Sequence, residues 1–279
     1  MEGPPGPRAS IDVDVLGRLA VEVALAAGRL IVDGRPDDLT ASATKSSPTD
    51  VVTVMDTRSE ELIRAHLLAD RPDDGILGEE GADHLGTSPV TWVDDPIDGT
   101  VNYLYGIPAY AVSIAAVTGD PRSPGAWDVV AAAVADPSLG IVYHATRRGG
   151  AHATWVDGST RVLHVGGLAE LGGALVGTGF GYTPERRRHQ AELLLEVVPQ
   201  VRDIRRIGSA ALDLCMVATG QLDGFYEIGL NPWDLAAGWL LIREAGGTVT
   251  GRRGGAPDAD LVVAGNPAVH AALAAIVDR

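Results

Sequence analysis

Apolar residues recur at helical spacing from Ser10 to Val32 (Val15, Leu19, Val23, Ala26, Leu30), with Ser10 placed to cap the first turn. Asp33–Asp50 breaks that pattern. It is polar, carries G-R-P and K-S-S-P-T-D, and has a length that in compact domains marks a functional or mobile loop. A second amphipathic helix is predicted from about Thr57 to Ala69. The next apolar runs are short. Ile76–Leu77 ends in Gly78-Glu79-Glu80, and Val90–Val93 runs into Trp92–Thr100, W-V-D-D-P-I-D-G-T, which reads as a tight acidic turn. Two strands that each end in carboxylates predict a shared site at strand ends.

Beyond that turn, Tyr110–Val117, Val129–Ala135, Ile141–His144 and Gly150–Thr154 read as strands between Gly, Pro and Asp turns, with Asp157-Gly158 as a hairpin turn. Four strands in succession with little helix between them predict a largely antiparallel sheet. From about Gly172 the texture changes. Strands at Leu175–Val176, Phe225–Tyr226, Val249 and Leu261–Val263 alternate with helices at Pro184–Val198, Ser209–Thr219, Asp234–Ala245 and Pro267–Val277. That alternation predicts an α/β half. Two parts follow, an α+β part at 1–171 and an α/β part at 172–279, joined at a seam near 165–172 that lies between domains or inside one compact unit. Residues 1–8, rich in Pro and Gly, read as a disordered lead without the apolar core of a signal peptide.

Composition narrows the function classes. The chain has 279 residues, 46% hydrophobic and 21% charged, as in ordinary globular proteins. A formal net charge of −15 argues against nucleic acid and against anionic membrane surfaces, both of which require basic patches. An anionic small substrate stays possible, because a bound metal reverses the local sign of a site. The single cysteine, Cys215 in L-D-L-C-M-V-A, reads as a small buried hydrophobe and excludes an internal disulfide. No apolar run reaches membrane length, so a soluble protein is expected, and the absence of disulfides is compatible with the cytoplasmic location expected for it.

Asp95 and Asp98 flank Pro96-Ile97, and carboxylates held together repel unless a cation lies between them. Hard oxygen donors of this kind suit Mg²⁺. Gly99 lets backbone approach a ligand, and Thr100 stands where a helix can begin. Each residue also has a plain reading. Lys45 alone is a surface lysine, Thr100 alone a helix cap, Trp233 core packing, and Arg186–His189 a solvated helix face. Glu80 is expected in solvent or against a basic side chain. No histidine spacing fits a zinc site, and no P-loop is present.

Four stretches then fall in order: Lys45–Asp50, Gly78-Glu79-Glu80, D-P-I-D-G-T at Asp95–Thr100 with Asn102 behind it, and Trp233–Gly238 (W-D-L-A-A-G), with G-S-A-A-L at Gly208–Leu212 before the last. Together they resemble the inositol monophosphatase family, and are most similar to its bacterial, SuhB-type members. The resemblance runs from about Lys45 to Gly247. It implies a layered αβαβα sandwich of the sugar-phosphatase type and a Mg²⁺-dependent phosphomonoesterase acting on a small phosphorylated polyol. It further implies that Glu79, Asp95, Asp98 and Asp234, with the Ile97 carbonyl, bind two or three Mg²⁺. Asp56 and Thr100 orient water beside Glu79, and the Gly99 and Thr100 amides receive phosphate. Gly208, Ser209, Ala210 and Glu227 line the polyol side, together with Asp234, while Lys45 and Asp50 lie on a mobile loop. Li⁺ inhibition and a homodimer are implied as well. Asp94 departs from the family pattern, and strand alternation is expected to turn it away from Asp95 into a structural role. Histidinol phosphate is the nearest alternative substrate. A 3′-phosphoadenosine 5′-phosphate substrate is disfavoured because no basic patch for a second phosphate is evident, and a binding role in a larger complex stays open.

The chemistry is in keeping. Phosphate monoester hydrolysis is among the slowest uncatalysed reactions, with enzymatic accelerations up to ~10²¹. Cations must neutralise the dianionic ester before a nucleophile can approach, and that demands several carboxylates from distant segments.

Overall fold

The computed structural model describes residues 11–45, 50–81 and 83–279. The lead at 1–8, the Ser10 cap and the central part of the Lys45–Asp50 stretch lie outside them. The first helix, α1 (Val13–Asp33), begins with Asp12 instead, whose carboxylate accepts from the amides of Asp14 and Val15. Short strands β1 (Ala43–Thr44) and β2 (Val51–Val52) pair within the segment expected to be only loop. Helix α2 (Val54–Asp70) starts three residues before the expected Thr57. Thr53 and Asp56 form a reciprocal capping box there, which fixes the helix start ahead of the apolar stripe.

A seven-stranded sheet follows: β3 (Gly75–Gly78), β4 (Val90–Asp98), β5 (Ala111–Gly119), β6 (Trp127–Asp136), β7 (Ile141–Thr146), β8 (Gly150–Trp155) and β9 (Thr160–Val162). Its strands lie in sequence order, and all neighbours are antiparallel except β3 and β4. Helix α3 (Thr100–Tyr105) follows β4. The second sheet has the order β11-β10-β12-β14-β13, from β10 (Leu175–Thr178), β11 (Asp203–Arg205), β12 (Gly224–Glu227), β13 (Thr248–Thr250) and β14 (Val262–Gly265). Its helices are α4 (Pro184–Val197), α5 (Ala210–Ala218), α6 (Pro232–Glu244) and α7 (Pro267–Val277). The short polar strands β9 and β11 carry almost no periodic signal, which is why the pattern missed them.

Three hydrophobic cores define five layers. One core joins α1 and α2 to the large sheet through Val112, Ile114, Val130 and Trp92. The next uses the opposite faces of β5 and β6 (Ala115, Val129, Val134) against α5, α6 and the small sheet. The third packs the other face of the small sheet on α7 through Val263, Val269 and Leu273. The central strands are apolar on both faces because both faces are covered. The layering is αβαβα, as the resemblance implied. Among the described residues, no helix is long and apolar enough to cross a membrane.

Candidate active site

The stretch Trp92–Thr100 is not a tight turn. Strand β4 continues through Asp98, with a register shift against β5 between Asp95 and Asp98. Residues three apart on a regular strand face opposite sides. The irregularity at Pro96-Ile97 supplies the additional residue that returns Asp98 to the side of Asp95. Pro96 has no amide to donate, and its carbonyl accepts from Ser59 Oγ at 3.1 Å. Asp95 Oδ1 accepts from the Ile97 amide at 3.0 Å, which fixes the carboxylate against the kink. Gly99, at φ 94°, takes the left-handed turn that starts α3.

Asp234 arrives from the other side of the pocket. It is the third residue of α6, which begins at Pro232, two residues before the expected start. Asn231 caps the helix, and Asp234 Oδ2 accepts from the Asn231 amide at 2.6 Å. Asp95, Asp98 and Asp234 each offer an oxygen to a group whose members lie within 4.8 Å of one another. Asp98 Oδ2 accepts from Ser209 Oγ and the Ala211 amide, both at 2.6 Å, at the N-terminus of α5. Ser209, expected on the polyol side, is therefore turned to Asp98, though it still lines the pocket. Asn102 Nδ2 donates to the carbonyls of Ala109 and Ile207 and ties α3 to the Gly208 loop.

Electrostatics mark this cluster. Burial, then the charges of Glu79, Asp98 and Asp234, push the Asp95 carboxyl well above the usual range. Burial and neighbouring carboxylates do the same to Asp234. Asp98 rises only to about 6, because its hydrogen bonds from Ser209 and Ala211 oppose burial. Repelling carboxyl groups gathered at one point are suited to a divalent cation, which would relieve the cost of ionising them. The donor set fits a hard metal ion.

Around the cluster, Thr100 Oγ1 lies 3.0 Å from both Asp56 Oδ1 and the Ile97 carbonyl. One hydroxyl proton serves one of them at a time. Asp56 Oδ2 accepts from the amide and hydroxyl of Thr53, so the capping box of α2 also holds this carboxylate. Burial still raises the Asp56 pKa. Glu79 Oε1 is 2.8 Å from Lys45 Nζ, and Glu80 is 2.5 Å from the same ammonium. Burial works against the Lys45 charge, but the two carboxylates outweigh it and raise its pKa. Glu80 thus has the basic partner expected of it. Asp94 is fully buried on the side of Glu60 and Arg64, its two oxygens without a hydrogen-bond partner among the described residues, and burial raises its pKa well above the usual range.

Lys45, Glu79, Asp95, Asp98, Thr100 and Asp234 open on a cavity of about 430 Å³, lined also by Asp50, Gly99, Gly208, Ala210, Glu227 and Trp233, whereas Asp56, Glu80 and Asp94 do not line it. Burial pushes Glu227 up to about 8 against the opposing charges of Arg206 and Arg186. Trp233 packs partly on the central core, as expected, while lining the cavity. Arg186–His189 is exposed on α4, as expected of a solvated helix face, but Arg186 also lines the cavity, and Arg206 joins it. A basic patch is therefore present. It was invisible because two arginines twenty positions apart become neighbours of Glu227 only when α4 and the loop before α5 meet. Arg205, by contrast, pairs with Asp203 at 2.7 Å on the surface.

Residues 12–279 match the inositol monophosphatase family. The chain is 54% identical over 243 residues to the inositol-1-monophosphatase SuhB of Mycobacterium tuberculosis, covering 84% of this chain and 80% of that protein. It is 38% identical over 266 residues to the Nus factor SuhB of Salmonella typhimurium, covering 92% and 93%. Among solved structures, Mycobacterium tuberculosis SuhB aligns with a TM-score of 0.80 at 47% identity, over 96% of this chain and 97% of that one. The Thermotoga maritima IMPase aligns with the same TM-score at 28% identity, over 95% and 96%. With its layers, its carboxylate cluster and these relatives in agreement, the chain belongs to the inositol monophosphatase family and is a phosphatase.

Proposed function

We propose that the protein is a Mg²⁺-dependent hydrolase of inositol monophosphates, releasing inositol and phosphate by attack of water on phosphorus. The observation that carries this reading is the convergence of Asp95, Asp98 and Asp234 from two elements onto one point of the cavity. Glu79, Asp95, Asp98, Asp234 and the Ile97 carbonyl are the groups that would hold two or three Mg²⁺. When bound, such ions neutralise the ester and increase the acidity of water. The chain's own residues supply the rest. With its proton given to Asp56, Thr100 Oγ1 has lone pairs to accept from a water, and Thr53 keeps Asp56 in place. The amides of Gly99 and Thr100 take phosphate oxygens. Glu227 accepts a polyol hydroxyl, with Gly208 and Ala210 as the wall of that side. Lys45, paired with Glu79, and Asp50 stand at the edge of the site. The same reading extends to Li⁺ sensitivity, a homodimer and a cytoplasmic location.

The test is phosphate release from inositol 1-phosphate, histidinol phosphate and 3′-phosphoadenosine 5′-phosphate. Mg²⁺-dependent activity should be highest on the first and should vanish in Asp98→Asn without loss of the folded state. A full-rate Asp98→Asn enzyme would sink the metal-site assignment, and a higher kcat/KM on histidinol phosphate would change the substrate. One relative is named a Nus factor, which favours a second reading as a partner in a larger complex. Stoichiometric retention of a partner by the Asp98→Asn protein would support that role, and no retention would remove it.

A further inference from the structure

Helix α2 meets the site with three polar side chains of one face. Asp56, Ser59 and Glu60, at i, i+3 and i+4, are all buried. Asp56 holds Thr100 Oγ1, and Ser59 Oγ donates to the Pro96 carbonyl inside the kink between Asp95 and Asp98. Glu60 does not line the cavity. Its Oε1 instead accepts from the Gly81 amide at 3.0 Å.

Gly81 closes the turn at 78–81 that carries Glu79, which follows β3 and so comes from neither β4 nor α6. Glu79, Glu80 and Gly81 belong to no strand or helix, while backbone hydrogen bonds between Ile76 and His84, at 2.8 and 2.9 Å, tie the ends of the loop together. Lys45 pairs with both Glu79 and Glu80, so that contact alone does not choose which carboxylate faces the cavity. Glu79 lines it and Glu80 does not. The rotation of the turn makes that choice, and Gly81 is where a side chain from α2 holds it.

The backbone is shaped to this carboxylate. A Cβ on Gly78 would fall on Glu60 Oε1, well inside van der Waals contact, and one on Gly81 would lie 3.1 and 3.2 Å from its two oxygens. Neither glycine has a positive φ, so both positions need space rather than backbone freedom. Asp94 Oδ2 borders the same pocket at 3.4 Å from the Gly78 Cβ position, and Arg64 Nη2 at 3.3 Å from that of Gly81. A buried carboxylate beside a second one is costly. What it provides here is a charge-assisted bond to a backbone amide, which an apolar side chain cannot make.

We propose that Glu60 is a positioning residue: by holding Gly81 it sets the rotation of the turn at 78–81 and aims Glu79, not Glu80, into the cavity. With Asp56 and Ser59 it makes one face of α2 the common backing of Thr100, the β4 kink and Glu79. This rests on the Mg²⁺-dependent reading above, in which Glu79 is a ligand.

The test reads Mg²⁺ affinity of the whole protein by titration calorimetry without substrate, and phosphate release from inositol 1-phosphate over a Mg²⁺ series. Glu60→Ala should weaken Mg²⁺ binding roughly ten-fold or more, the scale on which losing a partner that orients a metal ligand acts. The Mg²⁺ needed for half-maximal rate should rise by a similar factor, with KM for the ester unchanged at saturating Mg²⁺. Glu60→Gln keeps an oxygen that accepts from Gly81 and should restore most of the affinity. Gly78→Ala, which leaves Glu60 in place but takes its space, should reproduce the loss, and replaces Glu60→Ala if that protein does not fold. Ile63→Val, in the apolar core under the same helix, should lower Tm and leave Mg²⁺ affinity as it is. Unchanged Mg²⁺ affinity in folded Glu60→Ala protein would overturn the proposal. So would a Glu60→Gln protein as weak as Glu60→Ala, since charge rather than the Gly81 bond would then matter. An Ile63→Val protein weakened to the same degree would also overturn it, because loosening of α2 would then explain the loss. If the wild type bound no Mg²⁺, the metal reading would fail by itself. Amide exchange of the turn at 78–81 in metal-free protein would then decide the role of Glu60. Faster exchange in Glu60→Ala, reversed in Glu60→Gln, would keep Glu60 as the holder of the turn, and equal exchange would overturn it.

Discussion

On one side of the pocket, Asp95 and Asp98 project from a nine-residue strand buried between layers, and each accepts a hydrogen bond from a backbone amide. On the other side, Arg186 and Arg206 reach in from a first helical turn and a loop, and both are exposed. The first side is over-determined. Strand register, the irregularity at Pro96 and the N-terminus of α5 fix these two carboxylates, and the capping box of α6 fixes Asp234 where it meets them. The second side depends on long side chains in space left by glycines. A site whose atoms must meet within a few tenths of an ångström needs the buried framework. Recognition of the alcohol tolerates looser support, and can change without disturbing the chemistry.

The largest test of that division is Asp234→Asn. It should lower kcat by roughly 10³-fold or more for every substrate alike, as expected for loss of a group acting on the reacting centre. Because it removes one of several repelling carboxyls, thermal stability in EDTA should hold or rise. Selective loss on one substrate would show that the two sides are not separable.

A middle-sized effect concerns pH. Asp98 titrates near 6 in the folded protein, against about 3.9 for an unperturbed aspartate. Its folded-state pKa is raised, so the stability it contributes is full below the unfolded value and is lost as pH rises through about 6. Asp95 and Asp234 shift in the same direction. In EDTA, Tm should therefore fall as pH is raised from 4.5 to 7.5. Mg²⁺ binds the ionised groups, so its stabilisation should be several degrees at pH 7.5 and much smaller at pH 5. Scanning calorimetry with and without Mg²⁺ checks both trends, and a Mg²⁺ shift independent of pH would contradict the metal assignment of this cluster.

Thr53→Ala probes the smallest effect. The substitution removes the hydroxyl that caps α2 and donates to Asp56, and should cost about 1 kcal/mol of stability. If Asp56 is positioned through this cap, kcat should fall a few-fold with KM unchanged, and Thr53→Ser should restore it. Denaturant unfolding and steady-state kinetics would show whether stability alone is affected.

Much of the candidate site was legible in the chain. Lys45, Glu79, Asp95, Asp98, Thr100 and Asp234 stand in local motifs whose residue types suit metal and phosphate binding, and the structure brings them to one cavity. The element pattern was equally readable where periodicity was long, as in Pro267–Val277, which forms a helix with those bounds. It failed for β9 and β11, which are three residues each. It also failed for the start of α2, where a side-chain cap rather than an apolar stripe sets the boundary.

The sequence by itself determined the donor types, the carboxylate spacing and the family. Tertiary structure alone decided which of those carboxylates share a point in space. The register shift that rotates Asp98 towards Asp95 depends on pairing with β5, and the approach of Asp234 depends on where α6 packs between the sheets. It also decided that Arg186 and Arg206, one on an apparently solvated helix and one in a loop, line the same cavity as Glu227. Local motifs record chemistry that neighbours in sequence perform together. Contacts between distant segments are set by layer packing, and no short stretch of sequence carries that information.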